Sequence, residues 1–216
     1  MEGGFIVEER FMELSCEEFV EQLAAHTGVP GGGSACALAG ALAAALCAMT
    51  GAFTVGRTRF ADVEAEVSDL MDEAEEVRYR LLELIEEDAA GFSPLIEARA
   101  LPRESPGRVD AIELATEGAC MAPLAMMGEC CRVIALLERM GELGNPGLVS
   151  DIATGALLAL SALKGASVNV YVNSAGLRDR LQAARIEATC DELLEEYVPR
   201  AAALVQSIDD QVRGRA

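Results

Sequence analysis

The sequence has no tryptophan, one histidine (His26) and one lysine (Lys164). Aromatic residues make up only 4% of it, and alternating Val, Ile and Thr are scarce. A core without large rings is filled by Ala, Leu and Val, which favours close-packed helices over a β-sandwich. One histidine leaves zinc without its usual ligands, and the H-x-E…PCxxC pattern of zinc deaminases is absent. A histidine-based triad also lacks partners, so acid–base chemistry would fall to carboxylates. With a formal net charge of −19, no basic face offers itself to nucleic acid. The seven cysteines form no CxxC motif; reduced thiols in a cytoplasmic protein are the expectation. The opening MEGGFIVEER is acidic and has no hydrophobic signal core, so export is not expected.

What the sequence does have is a long uncharged stretch behind a glycine loop, VPGGGSACALAGALAAALCAMTGAF, starting at Val29. No charge occurs from Thr27 through Gly56, enough for the roughly 20 residues that cross a bilayer. Alanine dominates, however, and the flanks lack aromatic belts. A buried bundle helix is the better reading, with Gly40, Ala44 and Ala48 letting neighbouring backbones approach. The glycines do not form a phosphate loop, because no GK[ST] follows and GxGxxG is absent. Gly31, Gly32 and Gly33 nevertheless lead into a helix start, whose free N–H groups attract anions and carbonyl oxygens. Simple packing is the alternative.

Nearly all the rest reads as helix, in one domain spanning 1–216. Ser15 and Glu18 form a capping box before a short amphipathic helix carrying Phe19 and Leu23. Ser34 is expected to cap the alanine-rich helix, which runs to about Val55. Further helices are expected over 62–100, from Ser105-Pro106 to Leu143, from Ser150 to about Ser174, and over 178–215. GNPG at 144–147 is a turn. Pro94, Pro123 and Pro199 fall inside long helices and are expected to kink them. The expected architecture is all-α, an up-and-down bundle of five to six long helices.

One acidic residue is out of place. Between 62 and 100 the apolar stripe runs Val63, Val67, Leu70, Ala74, Val77, Leu81, Ile85, then position 88, then Phe92 and Leu95. Position 88 is aspartate, while Glu86 and Glu87 turn outward. A carboxylate desolvated there, with like charges nearby, should titrate above about 3.9, as suits a proton carrier near neutral pH. Pairing with a buried arginine, or capping a neighbouring helix, accounts for it equally well. Asn169 and Asn173, at i and i+4 in VNVYVN, put two amides on an otherwise apolar face, where each needs a structural or ligand partner. Asn145 in LGNPG suits a turn, and Asp151 complements a helix start. In GRTRF, Arg57 and Arg59 compensate a helix dipole or meet an anionic substrate.

Taken together, PGGGSACALAGALAAALCAMT, AFTVGRTRF, EEDAAGF, GNPGLVSD and NVYVN resemble the formimidoyltetrahydrofolate cyclodeaminase and methenyltetrahydrofolate cyclohydrolase family. Order and spacing hold from about residue 15 to about residue 205. The resemblance implies a helical homodimer with folate sites at the subunit interface, and neither a metal nor an organic cofactor. It places the family's catalytic aspartate, in its D/E-x-D-A-x-x-F segment, on Asp88. Members often carry consecutive basic residues where Thr58 here separates Arg57 from Arg59.

The expected reaction is therefore at the N5,N10 one-carbon bridge of tetrahydrofolate, with Asp88 as general acid and base. Asn169 and Asn173 would orient the pterin, the Gly31–Gly33 backbone with Ser34 would hold the substrate, and Arg57 would meet its carboxylates. Asn145 is included in the substrate-binding set. NVYVN and the lack of a fused transferase lean towards the hydrolase. A catalytically silent folate binder, or a structural helical dimer with a salt-bridged Asp88, are the alternatives. No membrane association is expected.

Overall fold

The computed structural model describes residues 10–215; the MEGGFIVEE stretch read above lies outside them. The described residues form six α-helices with no strand among them: α1 (Cys16–Ala24), α2 (Gly32–Ala52), α3 (Glu64–Ala100), α4 (Arg108–Leu143), α5 (Val149–Ser174) and α6 (Arg180–Val212). Helices α2 to α5 stand in a ring, and α6 lies along α4 and α5. Neighbours in the ring are antiparallel. Gly33 and Gly51 of α2 face Asp88 and Met71 of α3, Arg139 of α4 reaches Glu66 of α3, and Gly155 of α5 faces Leu137 of α4. This is the expected up-and-down bundle.

The bare composition of α2 follows from that position. It packs against α3 and α5 along its length and touches α4 across the ring. A methyl group at Gly40 would stand 3.1 Å from Leu81 and 3.2 Å from the Cys130 sulfur. Large side chains fill the space between, with Leu81, Ile85, Met126, Ile134, Leu137 and Leu163 fully buried or nearly so. Five of the seven cysteines are buried and none is disulfide-bonded, so they pack as small apolar side chains. Arginines on α3, α4 and α6 lace the outer surface, as in Arg132 with Glu73, Glu76 and Glu129. Pairs this exposed contribute about 0–1 kcal/mol each.

Several helix ends differ from expectation. Gly31, in extended conformation, is the N-cap of α2, and Ser34 is its third helical residue. Ser105 and Pro106 lie in a turn before α4, whose N-cap is Gly107 at φ 76°, a left-handed conformation that glycine adopts without steric penalty. Pro146–Leu148 form a 3-10 turn and α5 starts at Val149, so Ser150 is not its cap. The side chain of Asp179 caps α6 by accepting from the N–H groups of Leu181 and Gln182. Pro94, Pro123 and Pro199 do lie inside α3, α4 and α6, each continuing through its proline as one helix.

Unequal helix lengths create a step. Helix α2 begins, and α5 ends, close to the level of Asp88, but α3 continues twelve residues further to Ala100. At 1.5 Å per residue that is an overhang of about 18 Å, matched by the first turns of α4. The α1–α2 connection lies against it, with Gly28 beside Ile96. The candidate residues sit at this step.

Leu137 tests the packing. It is fully buried, with its methyls against Gly155. Leu137→Ala is expected to lower stability by about 2–5 kcal/mol, read as a lower urea midpoint at unchanged slope.

Candidate active site

The site is built where α3 presses an acidic side chain against the first turn of α2. Asp88 is half-buried, and its Oδ2 accepts a hydrogen bond from the hydroxyl of fully buried Ser34 at 3.1 Å. The Ser34 backbone N–H acts on the same carboxylate. The N-cap Gly31 supplies no side-chain cap, and the Asp88 carboxylate of the neighbouring helix lies against this helix start. Gly33 makes this approach possible: a methyl there would sit 2.3 Å from Oδ1 and 2.5 Å from Oδ2.

Of the structural alternatives for Asp88, the carboxylate does lie at a helix start, held there by the Ser34 hydroxyl, and the arginine pair is absent among the described residues. No cation pairs with Asp88 among the described residues. Burial pushes its carboxyl above the ordinary carboxylate range, and the hydroxyl and backbone N–H of Ser34 pull part of the way back. The like charges of Glu86 and Glu87, invoked from sequence, are not the cause. Glu87 is bridged by Arg80 and Glu86 accepts from the Met12 N–H at 3.1 Å. Cys36, on the next turn of α2, is close enough that Asp88 adds to the effect of burial in raising its thiol pKa.

Helix α5 brings two amides to the same end. Asn169 faces Gly32 of α2, while its Nδ2 donates to the Gly165 carbonyl one turn back at 2.9 Å. Asn173 donates from Nδ2 to the Ala119 carbonyl of α4 at 2.8 Å. Both amide nitrogens are thus engaged, and the Oδ1 of each takes no hydrogen bond among the described residues. They remain acceptors for a ligand N–H. The i, i+4 pair of amides seen in the sequence is therefore one of structural donors and free acceptors, on half-buried side chains.

Two other candidates lie elsewhere. Asn145 follows α4 and forms the turn: its Oδ1 accepts from the Gly147 N–H, and its Nδ2 donates to the Phe53 carbonyl. Arg57 is exposed beyond the far end of α2, five residues past its last helical residue. From Ser34 to that end α2 rises about 27 Å, so neither residue meets Asp88 within one chain. Among the described residues no three His, Cys, Asp or Glu side chains converge as metal ligands. An apolar cleft of about 620 Å³, unforeseen in the sequence, opens one turn past Asp88. Pro94 and Ala98 of α3, with Leu101 just past its end, line it opposite Ala111, Leu114 and Ala115 of α4. Gly91 and Gly118, where the two helices approach closely, lie at its inner end and were the available signal.

Comparison with known proteins accounts for this arrangement. Residues 15–192 match the family described as Formiminotransferase-cyclodeaminase. A methenyltetrahydrofolate cyclohydrolase of Methylorubrum extorquens is 35% identical over 203 residues, covering 92% of this chain and 96% of that protein. The formimidoyltransferase-cyclodeaminase of Mus musculus is 27% identical over 94% of this chain, which matches only 38% of the mouse protein. The crystal structure of formiminotetrahydrofolate cyclodeaminase from Thermotoga maritima superposes with a TM-score of 0.79 at 27% identity, covering 90% of this chain and 97% of that one. The step in the helical bundle, with its carboxylate against a glycine-rich helix start, is thus carried by a member of the formiminotransferase-cyclodeaminase family.

Proposed function

We propose that this chain is an enzyme of one-carbon tetrahydrofolate metabolism that opens or closes the N5,N10-methenyl bridge, with Asp88 as general acid and base. The observation that carries the reading is the Asp88 carboxylate. It is half-buried at the open step of the bundle, without a cation, and its proton is held more tightly than on an exposed aspartate. Such a group can take a proton from a reactant and give it back.

In the hydrolytic direction, water attacks the bridge carbon while the Asp88 carboxylate takes one of its protons. The carbon–N5 bond then breaks as the new C–O becomes a carbonyl. The hydroxyl proton is released and N5 receives the proton carried by Asp88, leaving the 10-formyl compound. In the deaminating direction, N10 attacks the carbon of the protonated formimidoyl group, Asp88 removes the N10 proton and returns it to the departing nitrogen, and ammonia leaves as the cationic methenyl bridge closes. The free Oδ1 acceptors of Asn169 and Asn173 suit the N–H donors of a pterin. The higher identity to a cyclohydrolase, 35% against 27% for the Thermotoga maritima cyclodeaminase, favours the hydrolytic reaction. Neither scheme uses a metal or an organic cofactor; the tetrahydrofolate derivative is the substrate.

The partner in this proposal is a second copy of the chain. Helices α2 and α5 expose apolar side chains, Leu42, Leu157, Val168 and Val172, with Phe53 just past the end of α2 and Lys164 among those of α5. By length and hydropathy both helices could cross a bilayer, and each leaves more than half of its apolar stretch uncovered. Pairing about a two-fold axis across the middle of α2 would cover this surface. The same rotation would carry the partner's far end of α2, with Arg57 and the Asn145 turn, towards Asp88.

Asp88→Asn is expected to retain folate binding and lose about 10²–10⁴-fold in turnover, measured as decay of methenyl absorbance and, separately, as ammonia release. Wild-type turnover in that variant would rule out the proton-carrier role.

The dimer has its own check. Asp88→Asn and Arg57→Ala, each weakly active alone, are expected to regain about a quarter of wild-type activity when mixed and reassembled, because half the dimers hold one intact site. No recovery on mixing would place Arg57 outside the site, and uptake of the protein into lipid vesicles would assign the apolar face to a bilayer.

A further inference from the structure

We infer that Ser34 and Gly33 act as positioning residues for Asp88 rather than as substrate contacts: the buried hydroxyl holds Oδ2, the missing β-carbon admits the carboxylate, and Oδ1 alone is presented to the reacting nitrogen. The inference rests on Asp88 being the proton carrier.

The geometry sets Ser34 apart from most serine and threonine hydroxyls of the bundle. Only that of Ser174, which donates to Glu187 of α6, likewise crosses to a carboxylate on another helix among the described residues. Inside a helix, Ser and Thr hydroxyls commonly bond back to the carbonyl four residues earlier. Thr50, Ser93, Thr116 and Thr154 all do so here. Ser34 instead donates across to α3, to Oδ2 of Asp88 at 3.1 Å. It is fully buried and so poorly placed to meet a substrate.

Gly33 supplies the steric half. The position its β-carbon would take lies 2.3 Å from Oδ1, 2.5 Å from Oδ2 and 2.6 Å from Cγ. Those distances are incompatible with any side chain, so the carboxylate occupies the space that the glycine leaves. With Oδ2 held by a donor, and Oδ1 taking no hydrogen bond among the described residues, a proton arriving at Asp88 settles on Oδ1. The two oxygens become distinct: one is anchored and the other is exchangeable.

Ser34 also influences when Asp88 ionises, because a hydroxyl donating to a carboxylate favours its charged form. Few other groups compete at this point. Cys36 on α2 is the titratable neighbour that senses the charge of Asp88, and its own raised pKa keeps it neutral. On α3, Glu86 and Glu87 are engaged elsewhere. At this level α4 offers Glu117, engaged by Gln182, and α5 offers the uncharged Asn169 and Asn173.

The test uses the full chain carrying Ser34→Ala, with Ser34→Cys, nearly isosteric but a weak donor, as the alternative should the first fail to fold. Carbon-13 NMR of the Asp88 carboxyl without substrate is expected to show its titration moved to higher pH in the variant. The acid limb of the rate profile should move the same way, with kcat reduced about 10- to 100-fold and KM within about twofold. A raised KM with the carboxyl titration unmoved would make Ser34 a substrate contact and overturn the inference, as would wild-type behaviour throughout. The NMR readout needs no turnover. If Asp88→Asn proved fully active while Ser34→Ala still moved the titration, the proton-carrier role would fail and the anchoring of Oδ2 would stand.

Gly33→Ala is the steric counterpart. It is expected to displace the carboxylate, seen as changed Asp88 and Ser34 chemical shifts, and to lower kcat by at least the same factor. An active Gly33→Ala enzyme with unchanged shifts would show that the carboxylate does not need that space.

Discussion

One carboxylate on α3 meets the first turn of α2, and this contact sets the shape of the active end. The start of a helix leaves N–H groups without partners, and α2 begins with glycines that provide no side-chain cap. Asp88 places a carboxylate at that helix start from across the bundle, bound by the Ser34 hydroxyl. Because Gly33 has no side chain, the carboxylate sits directly against the helix backbone. The register between α2 and α3 follows: Ser34 opposite Asp88, Gly40 opposite Leu81, Gly51 opposite Met71. Small residues recur along α2 at the points where another helix must come close.

The same contact has opposed electrostatic effects. Burial favours the protonated carboxyl, whereas the Ser34 hydroxyl, its N–H and the positive end of the α2 dipole favour the charged form. Burial is the larger influence, so the folded chain holds the Asp88 proton more tightly than the unfolded chain does. This contribution to stability is therefore full below the unfolded pKa and is lost as pH rises through the higher folded value. Whenever Asp88 is ionised, the protein holds a charged group where burial disfavours charge. A purely structural cap gains nothing from that placement, since an exposed aspartate would satisfy the same N–H groups at lower cost in desolvation. A group that must both accept and release a proton does gain from it.

Periodicity alone revealed most of the bundle, because long apolar stripes at steps of three and four have no other solution. It also exposed Asp88, a polar residue in an apolar register between Ile85 and Phe92. Local cap rules did less well. Ser34 has the residue type of an N-cap but sits two residues inside the helix, since its hydroxyl partner comes from α3, 54 positions away. Ser105-Pro106 likewise resembles a helix start, yet Gly107 turns the chain with a positive φ before α4 begins. In both places a contact or turn outside the motif decided the outcome. Long-range geometry was equally hidden: nothing in GRTRF or LGNPG says that Arg57 and Asn145 lie a full helix length from Asp88.

The step at the end of the bundle explains why chemistry is placed here and not deeper. In the middle of the ring, between Leu81, Met126 and Leu163, a carboxylate would meet only apolar surface and would stay protonated. On the charged outer faces it would be paired with arginine, as Glu87 and Glu138 are. Where α2 starts and α5 stops, Asp88 still has the wall of α3 behind it but faces an opening rather than a fourth helix. Half-burial is then a consequence of helix lengths. The glycine-rich start of α2 narrows the opening on one side, and Asn169 and Asn173 edge it on the other. A bundle whose four helices all ended together would offer no such intermediate environment. The twelve residues of α3 beyond Asp88, which add little to the main core, are what create it.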